Sequence, residues 1–129
     1  MPAGEAFTPS QRLEIEKAVR VAERMCGRDI TVHVGTSTGD VRAYAEGLHA
    51  DLVRPPGSIL IHVDPDARAV EIVTGAEVRR VLGDRQAALA AITMQTAFVT
   101  GDLMHGLLAG LHQLARLARP TQSLHTDTP

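Results

Sequence analysis

Aromatic side chains are scarce in this sequence. Among 129 residues there are two phenylalanines, one tyrosine and no tryptophan. The core must therefore be built from Leu, Ile, Val, Met and Ala, and the aromatic platforms on which single-stranded nucleic acids stack are lacking. An excess of basic residues is lacking too, since 13 Lys and Arg are set against 15 Asp and Glu. Because phosphate contacts need a basic surface, this balance argues against a nucleic acid as partner.

Disulfides, a secretory signal and long apolar runs are lacking as well. The chain has one cysteine, Cys26, which excludes an internal disulfide. The first residues, MPAGE, contain neither the basic nor the apolar run of a signal peptide. No stretch approaches the ~20 apolar residues that a membrane helix needs, because Asp84, Arg85, Asp102 and His105 interrupt the most apolar part. We therefore expect a cytoplasmic protein without membrane insertion.

The length suits a single domain, and the apolar spacing predicts four main helices. We expect residues 1–7 to form a flexible leader, residues 8–118 to form the domain, and residues 119–129 to form a disordered polar tail. The predicted helices cover residues 8–26, 40 to about 52, 84 to about 100 and 102 to about 118.

Three β-branched runs predict strands at residues 30–34, 59–63 and 69–73. A helix separates the first two strands, and a strand–helix–strand crossover makes them parallel and right-handed. The short connection at residues 64–68 makes the third strand antiparallel to the second. The predicted fold class is therefore α/β, with a small mixed sheet of about three to four strands packed with helices.

The last two predicted helices meet at Gly101 and Asp102. We expect Asp102 to cap the final helix by accepting its free N–H groups. Gly106 and Gly110 then lie on one face, although a glycine inside a helix costs roughly 1 kcal/mol relative to alanine. Close approach of another backbone would offset that cost, which predicts tight packing inside the domain. A homodimer contact through the same glycine face is the alternative.

The sharpest candidate site consists of His33, His62 and Glu71. Strand alternation places each side chain opposite the apolar face, and the predicted pairing would make all three project from one face of the sheet. Two histidines and a carboxylate are a legitimate ligand set for a transition metal. The alternative is a partly solvated sheet face with polar residues outward, and a one-residue slip in register would separate the three side chains.

A second, separate candidate cluster follows the second strand, where Asp64 and Asp66 flank a proline. Clustered carboxylate oxygens suit a hard divalent cation such as calcium. An Asp-Pro-Asp sequence is also a good turn former, which is the competing interpretation.

Two further features favour ordinary structural roles. The loop at residues 35–40 lies where an open α/β sheet binds ligands, but it has no lysine and fits a plain polar loop. Cys26 lies on the apolar stripe of the first helix, which predicts a buried structural thiol.

The order of these motifs resembles the TPM domain family, which includes thylakoid phosphatase-like proteins. The resemblance covers roughly residues 8–118 and is to a soluble branch of actinobacterial type whose members are mostly uncharacterised. In chain order, the residues that carry it are residues 30–34, Tyr44, Ala45, residues 59–68, residues 72–75, Asp84, Ala87, Phe98, Gly101, Asp102, Gly106 and Gly110.

The resemblance implies a TPM-like α/β fold and two competing functions. Many TPM domains carry a membrane anchor and an Asn/Asp-rich turn before the second strand, where metal binding is suspected. Here that turn reads RPPGS at residues 54–58. The missing acidic turn and the lack of a nucleophile motif favour a non-catalytic accessory module that binds another protein. The alternative is a divalent-metal-dependent phosphatase of the TPM type, with a divalent cation as cofactor.

Overall fold

Three strands form one mixed sheet between helices in the computed structural model, which describes residues 7–120. In chain order, the elements are α1 (Pro9–Cys26), β1 (Asp29–Val34), α2 (Val41–Ala50), β2 (Ser58–Asp64), β3 (Ala69–Thr74), α3 (Asp84–Val99) and α4 (Leu103–Leu117), with single-turn 3-10 helices at Pro55–Gly57 and Val78–Arg80. The predicted α/β class and element order are confirmed.

Two helix starts follow from their capping residues. At α1, Thr8 Oγ1 accepts the N–H of Gln11 at 3.1 Å and Gln11 Oε1 accepts the N–H of Thr8 at 2.9 Å, which is a capping box. At α2, the carboxylate of Asp40 accepts the N–H of Ala43 at 2.9 Å. Each cap satisfies N–H groups that have no partner inside the helix.

The predicted cap of α4 is wrong. Asp102 makes no capping hydrogen bond with its side chain, and its carboxylate lies 3.5 Å from Nδ1 of the exposed His105. The reason is the tight turn between α3 and α4. Gly101 adopts a φ of +85°, and the N–H of Asp102 still donates to the carbonyl of Ala97 at 2.8 Å, which ties Asp102 to the end of α3.

The strand order is β1-β2-β3, with β1 parallel to β2 and β2 antiparallel to β3, as predicted. The register pairs His33 with His62 and His62 with Glu71. These three residues therefore form one row across the sheet, which we call the polar row.

Helices cover both faces of the central strand β2. The main core lies on the face of Ile59, Ile61 and Val63, where α1, α3 and α4 pack. A smaller cluster of Ala45, Leu60 and Val73 lies under α2 on the other face. Every residue of β2 is buried, and the expected partly solvated sheet face is therefore wrong for this strand. The amphipathic helix α2 covers that face.

The glycine face of α4 packs inside the domain, against α3. Gly106 and Gly110 are buried, and a Cβ added to them would overlap Ala97 and Met94 of α3. The predicted tight packing is confirmed. Because α3 already occupies this face, the alternative of a homodimer through Gly106 and Gly110 has no free surface there.

The ends of the domain meet, because α1 packs against α4. Phe7, which the sequence placed in the flexible leader, is 5% exposed and belongs to the main core. The rest of the predicted leader, residues 1–6, lies outside the described residues, as do residues 121–129 of the tail that was predicted at residues 119–129. Over residues 7–120, none of the helices combines the length and apolarity needed to cross a membrane.

Candidate functional site

The polar row brings the three predicted ligands together on the α2 side of the sheet. Nδ1 of His33 lies 3.1 Å from Nδ1 of His62. Glu71 is held from the other side, because Arg42 Nη1 lies 3.1 Å from Glu71 Oε1. Over residues 7–120, no group of three His, Cys, Asp or Glu side chains has an arrangement that could hold a metal ion. Metal binding by the polar row stays a prediction.

His62 is the most enclosed member of the polar row. It is fully buried, whereas His33 is half-buried. The ring of Tyr44, from α2, lies over the pair, with its centre 5.3 Å from that of His62 and 6.3 Å from that of His33. Burial lowers the pKa of His62, and the charge of the neighbouring His33 lowers it further. The imidazole of His62 is therefore neutral at physiological pH.

Ser37 lies next to the polar row, on the side nearer to solvent. The sequence did not single out this residue as part of a site. Ser37 Oγ lies 2.8 Å from Nε2 of His62. The residue comes from the loop between β1 and α2, for which the sequence predicted a plain polar loop. The available signal was position, since this loop follows the carboxyl end of a parallel strand where open α/β sheets bind ligands.

The second predicted cluster lies beside Ser37 and organises two loops. Asp64 Oδ2 accepts the N–H of Ser37 at 2.8 Å, and Asp64 Oδ1 accepts the N–H of Ala67 at 3.0 Å. Asp66 Oδ2 accepts the hydroxyl of Thr36. Burial raises the pKa of Asp64, but the hydrogen bonds from Ala67 and Ser37 outweigh this effect and leave its pKa lowered. The two predicted clusters, thought separate, are thus joined through Ser37.

His49 is a further buried polar residue that sequence reasoning missed. It lies on α2 and is 8% exposed, and its Nε2 donates to the carbonyl of Ser58 at 3.0 Å. This bond fastens α2 to the start of β2. The helical spacing from Ala45 to His49 was the signal, because it places both residues on the face that covers the sheet.

A groove of about 860 Å³ runs along the outer edge of β3, between α2 and α3. We call it the edge groove. Its floor is β3 itself, at the edge of the three-stranded sheet. The α2 wall is polar, with Arg42, Glu46 and His49, and the facing α3 wall is largely apolar. The α3 wall is formed by Asp84, Ala87, Ala88, Ala91, Ile92 and Gln95.

Side chains bond to the outward backbone groups of β3 in the edge groove. Gln95 Oε1 accepts the N–H of Val70 at 3.2 Å. Arg42 Nη1 donates to the carbonyl of Ile72 at 2.9 Å. The carbonyl of Thr74 accepts from the guanidinium of Arg79. These backbone groups therefore point away from β2 toward the groove, and side chains that line the groove occupy them.

Known proteins resemble this chain in sequence and in fold, but the names of those described here state no activity. Uncharacterized proteins Rv2468c and MT2543 from two strains of Mycobacterium tuberculosis are each 25% identical to this chain over 109 residues. The match covers 84% of this chain but 65% of each relative, and the chain thus spans somewhat less than two thirds of their length.

Solved structures with the same fold are small bacterial domains. The NMR structure of the BA42 protein from Bizionia argentinensis superimposes with a TM-score of 0.70 at 22% identity, covering 87% of this chain and 81% of that one. The N-terminal domain of cg2496 from Corynebacterium glutamicum gives a TM-score of 0.69 at 15% identity, covering 92% and 78%. The model of one family, described as "Domain of unknown function (DUF5130)", matches residues 1–115. This chain is a member of that family.

Proposed function

We propose that this domain is an accessory module that binds another protein by taking an extended segment of that protein into the edge groove. The observation that carries the proposal is the outer edge of β3, which pairs with no other strand over residues 7–120 and forms the floor of a groove of about 860 Å³. An extended segment can add to such an edge as a further strand, because the backbone groups of the two strands bond to each other. We also propose that the domain is TPM-like and that it acts in the cytoplasm.

The two walls of the edge groove define the chemistry of the partner. Side chains of an extended segment alternate between its two faces. One set would face the apolar α3 wall, where Ile92 is 60% exposed and Ala88 lies beside it. The other set would face Arg42, Glu46 and His49 on α2. The occupant we propose therefore alternates apolar and polar side chains.

The side chains bonded to β3 support strand addition in this groove. The Arg42 bond to Ile72 and the Gln95 bond to Val70 satisfy outward backbone groups while the groove is free. Exposed edges that are not protected pair with other chains indiscriminately. Arg42 and Gln95 can swing aside when backbone groups of a specific segment replace them, which leaves the total number of hydrogen bonds nearly unchanged.

No specific observation favours the phosphatase alternative. Both carboxylate oxygens of Asp64 accept backbone N–H groups, and Asp66 accepts the hydroxyl of Thr36. A cation at this loop would have to compete with those hydrogen bonds. We therefore keep the binding module as the proposed function.

The test is selection of random decapeptides displayed on phage against the purified protein, followed by NMR with the selected peptides. We expect selected sequences to alternate apolar and polar residues. On binding, the amides of Val70, Ile72 and Thr74 should gain protection from hydrogen exchange, because they share the outward phase of β3.

Two charge substitutions on one helix provide the matched comparison. Ile92→Glu places a carboxylate on the apolar wall, and we expect it to weaken peptide binding at least tenfold. Leu89→Glu is the control, because Leu89 is similarly exposed, 53% against 60% for Ile92, and is absent from the groove lining. Equal binding by both variants, or protection confined to residues outside β3, would contradict the proposal.

A further inference from the structure

Ser37, His62 and His33 form a continuous line of hydrogen-bonding groups that the proposed binding function does not use. Ser37 Oγ lies 2.8 Å from His62 Nε2, and His62 Nδ1 lies 3.1 Å from His33 Nδ1. A neutral imidazole has one N–H and one acceptor nitrogen. When the hydroxyl of Ser37 donates to His62 Nε2, the proton of His62 is on Nδ1 and donates to His33. The two hydrogen bonds thus run in the same direction, with Ser37 donating to His62 and His62 donating to His33.

We propose that Ser37 is a nucleophile that accepts an acyl group from a neutral or cationic ester, with His62 as its general base and His33 as a positioning residue. A serine hydroxyl is weakly nucleophilic by itself and needs an adjacent base that is oriented by a third group. The distances and the direction of the hydrogen bonds meet that requirement. The site lies in the loop between β1 and α2 and is independent of the edge groove.

The burial of His62 suits the role of general base. Because His62 is fully buried between β1, β3 and α2, its imidazole stays neutral and can accept a proton near neutral pH. Burial lowers its pKa most and the charge of His33 lowers it further, and these two effects outweigh Asp64, a backbone hydrogen bond with His33, and Glu71, which raise it. Tyr44 covers the ring from α2 and restricts its orientation.

Ser37 is held in place and is reachable from solvent. Its N–H donates to Asp64 Oδ2 at 2.8 Å, which fixes the backbone of the loop against the end of β2. Its side chain is half-buried, whereas its neighbours Thr36 and Thr38 are exposed. A substrate carbonyl can therefore approach the hydroxyl from outside without any displacement of the core.

The charges around Ser37 select the class of substrate. Asp64 and Asp66 lie against this loop through their bonds to Ser37 and Thr36, and Asp40 ends the loop where it caps α2. Three carboxylates repel an anionic phosphate ester and are compatible with a neutral or cationic one. We therefore assign the acyl donor to uncharged or positively charged carboxylic esters.

Ester hydrolysis at Ser37 needs only the ester and water as reactants. The Oγ of Ser37 forms a bond to the carbonyl carbon while its proton passes to His62 Nε2. The ester C–O bond breaks, and the leaving alcohol takes the proton from His62. Water then attacks the acyl-serine, gives its proton to His62, and releases the carboxylic acid with the proton returned to Ser37.

The experiment follows p-nitrophenyl acetate cleavage by the full chain, with mass spectrometry of the acetylated protein. We expect a burst of one p-nitrophenolate per chain and an acetyl group on Ser37. Ser37→Ala should abolish both, whereas Thr38→Ala, on the same loop, should keep both. p-Nitrophenyl phosphate should give no burst. Acetylation confined to other residues, or an unchanged burst in Ser37→Ala, would overturn the proposal.

The positioning role of His33 needs its own readout. His33→Gln keeps a polar side chain at a half-buried position, and we expect it to slow acylation at least tenfold and to shift the pH profile of the acylation rate. A structural role would lower thermal stability without moving that profile, and this result would overturn the assignment of His33. His62→Gln should lose about 100-fold or more of the acylation rate, since general base catalysis typically supplies that much. If His62→Gln does not fold, the Ser37→Ala and Thr38→Ala pair still decides.

Discussion

The imidazoles of His33 and His62 meet through their Nδ1 atoms, which lie 3.1 Å apart. One ring can donate to the other only while at least one of these two nitrogens is free of a proton. Full protonation of both rings would place two N–H groups and two positive charges in contact. The pair is therefore sensitive to acid, and α2 limits the access of solvent that would screen the repulsion.

We predict that the fold loses stability as the pH falls through about 6.5, the ordinary pKa of histidine. Burial and the charge of His33 lower the pKa of His62 in the folded state, so the unfolded state binds the proton more tightly. The stability contribution of neutral His62 is complete above the unfolded-state pKa and is lost as the pH falls through the folded-state pKa. Urea unfolding at a series of pH values measures this loss.

The His62→Gln variant is the control for that prediction, because glutamine does not titrate. Its stability should change less than that of the native protein between about pH 7 and pH 5. Asp64, whose pKa is also lowered, acts in a separate window, and its contribution is lost only as the pH falls below about 4. An equal slope between pH 7 and pH 5 in both proteins would show that His62 does not cause it.

Gly106→Ala should destabilise the protein, because the added methyl would overlap the Cβ of Ala97 on α3. Overpacking costs typically about 1–3 kcal/mol, which outweighs the gain of about 1 kcal/mol in helix propensity. Gly110→Ala should cost less, because its methyl meets the flexible side chain of Met94. Thermal unfolding gives both values.

Gly47→Ala on α2 is the same type of substitution, but we expect it to stabilise the protein. A methyl at this position would have no neighbour within 4 Å among the described residues. We therefore expect a gain of about 1 kcal/mol from helix propensity alone. If Gly106→Ala were as stabilising as Gly47→Ala, the spacing between α3 and α4 would not depend on the glycine.

Cys26 should react very slowly with a thiol reagent in the folded protein. The side chain is fully buried, and burial raises the pKa of its thiol. Both effects reduce the supply of accessible thiolate, which is the reactive species. Reaction with Ellman's reagent in buffer and in urea measures the difference. A folded-state rate close to that in urea would mean that α1 opens readily around Cys26.

Zinc is the direct test of the metal site predicted at His33, His62 and Glu71. Two nitrogens on one tetrahedral zinc, each about 2.0–2.1 Å from the metal, lie about 3.3 Å apart, close to the observed Nδ1 separation of 3.1 Å. Zinc there would move the proton of His62 to Nε2, where it donates to Ser37. A zinc ion bound there would shift the ring signals of His33 and His62 on titration and would slow the acylation of Ser37.

A zinc site here would have two protein ligands without Glu71 and three with it. Arg42 holds the Glu71 carboxylate at 3.1 Å, and Arg42→Ala should strengthen zinc binding if Glu71 becomes a ligand. His33→Ala should remove the binding in either case. Shifts confined to the exposed His105 and His112 would reject the site.

The face of the sheet on which each strand side chain lies was predictable because alternation leaves little freedom, whereas the strand register was left open. In each of the three strands one phase is apolar, and a slip of one residue would have buried the wrong set. His33, His62 and Glu71 therefore share one face, as predicted, and the structure adds the register that places them in one row. Capping by Thr8 and Asp40 was predictable for an equally local reason, since each bond spans three residues.

The surroundings of the polar row were not predictable in the same way. The burial of His62 depends on how α2 crosses the sheet, and the position of Ser37 depends on bonds to Asp64, 27 residues further along the chain. The edge groove depends on the distance between α2 and α3, which no local pattern encodes. Phe7 looked like part of a loose leader because one apolar residue before a cap carries no periodicity.

The contact between α1 and α4 has a consequence for synthesis on the ribosome. The β2–β3 hairpin joins neighbours in the chain and can form as soon as it emerges. The main core, in contrast, needs the first helix and the last, which lie at opposite ends of the domain sequence. We therefore expect nascent chains that stop before α4 to leave part of the apolar stripe of α1 uncovered, and folding to be completed only after α4 has been synthesised.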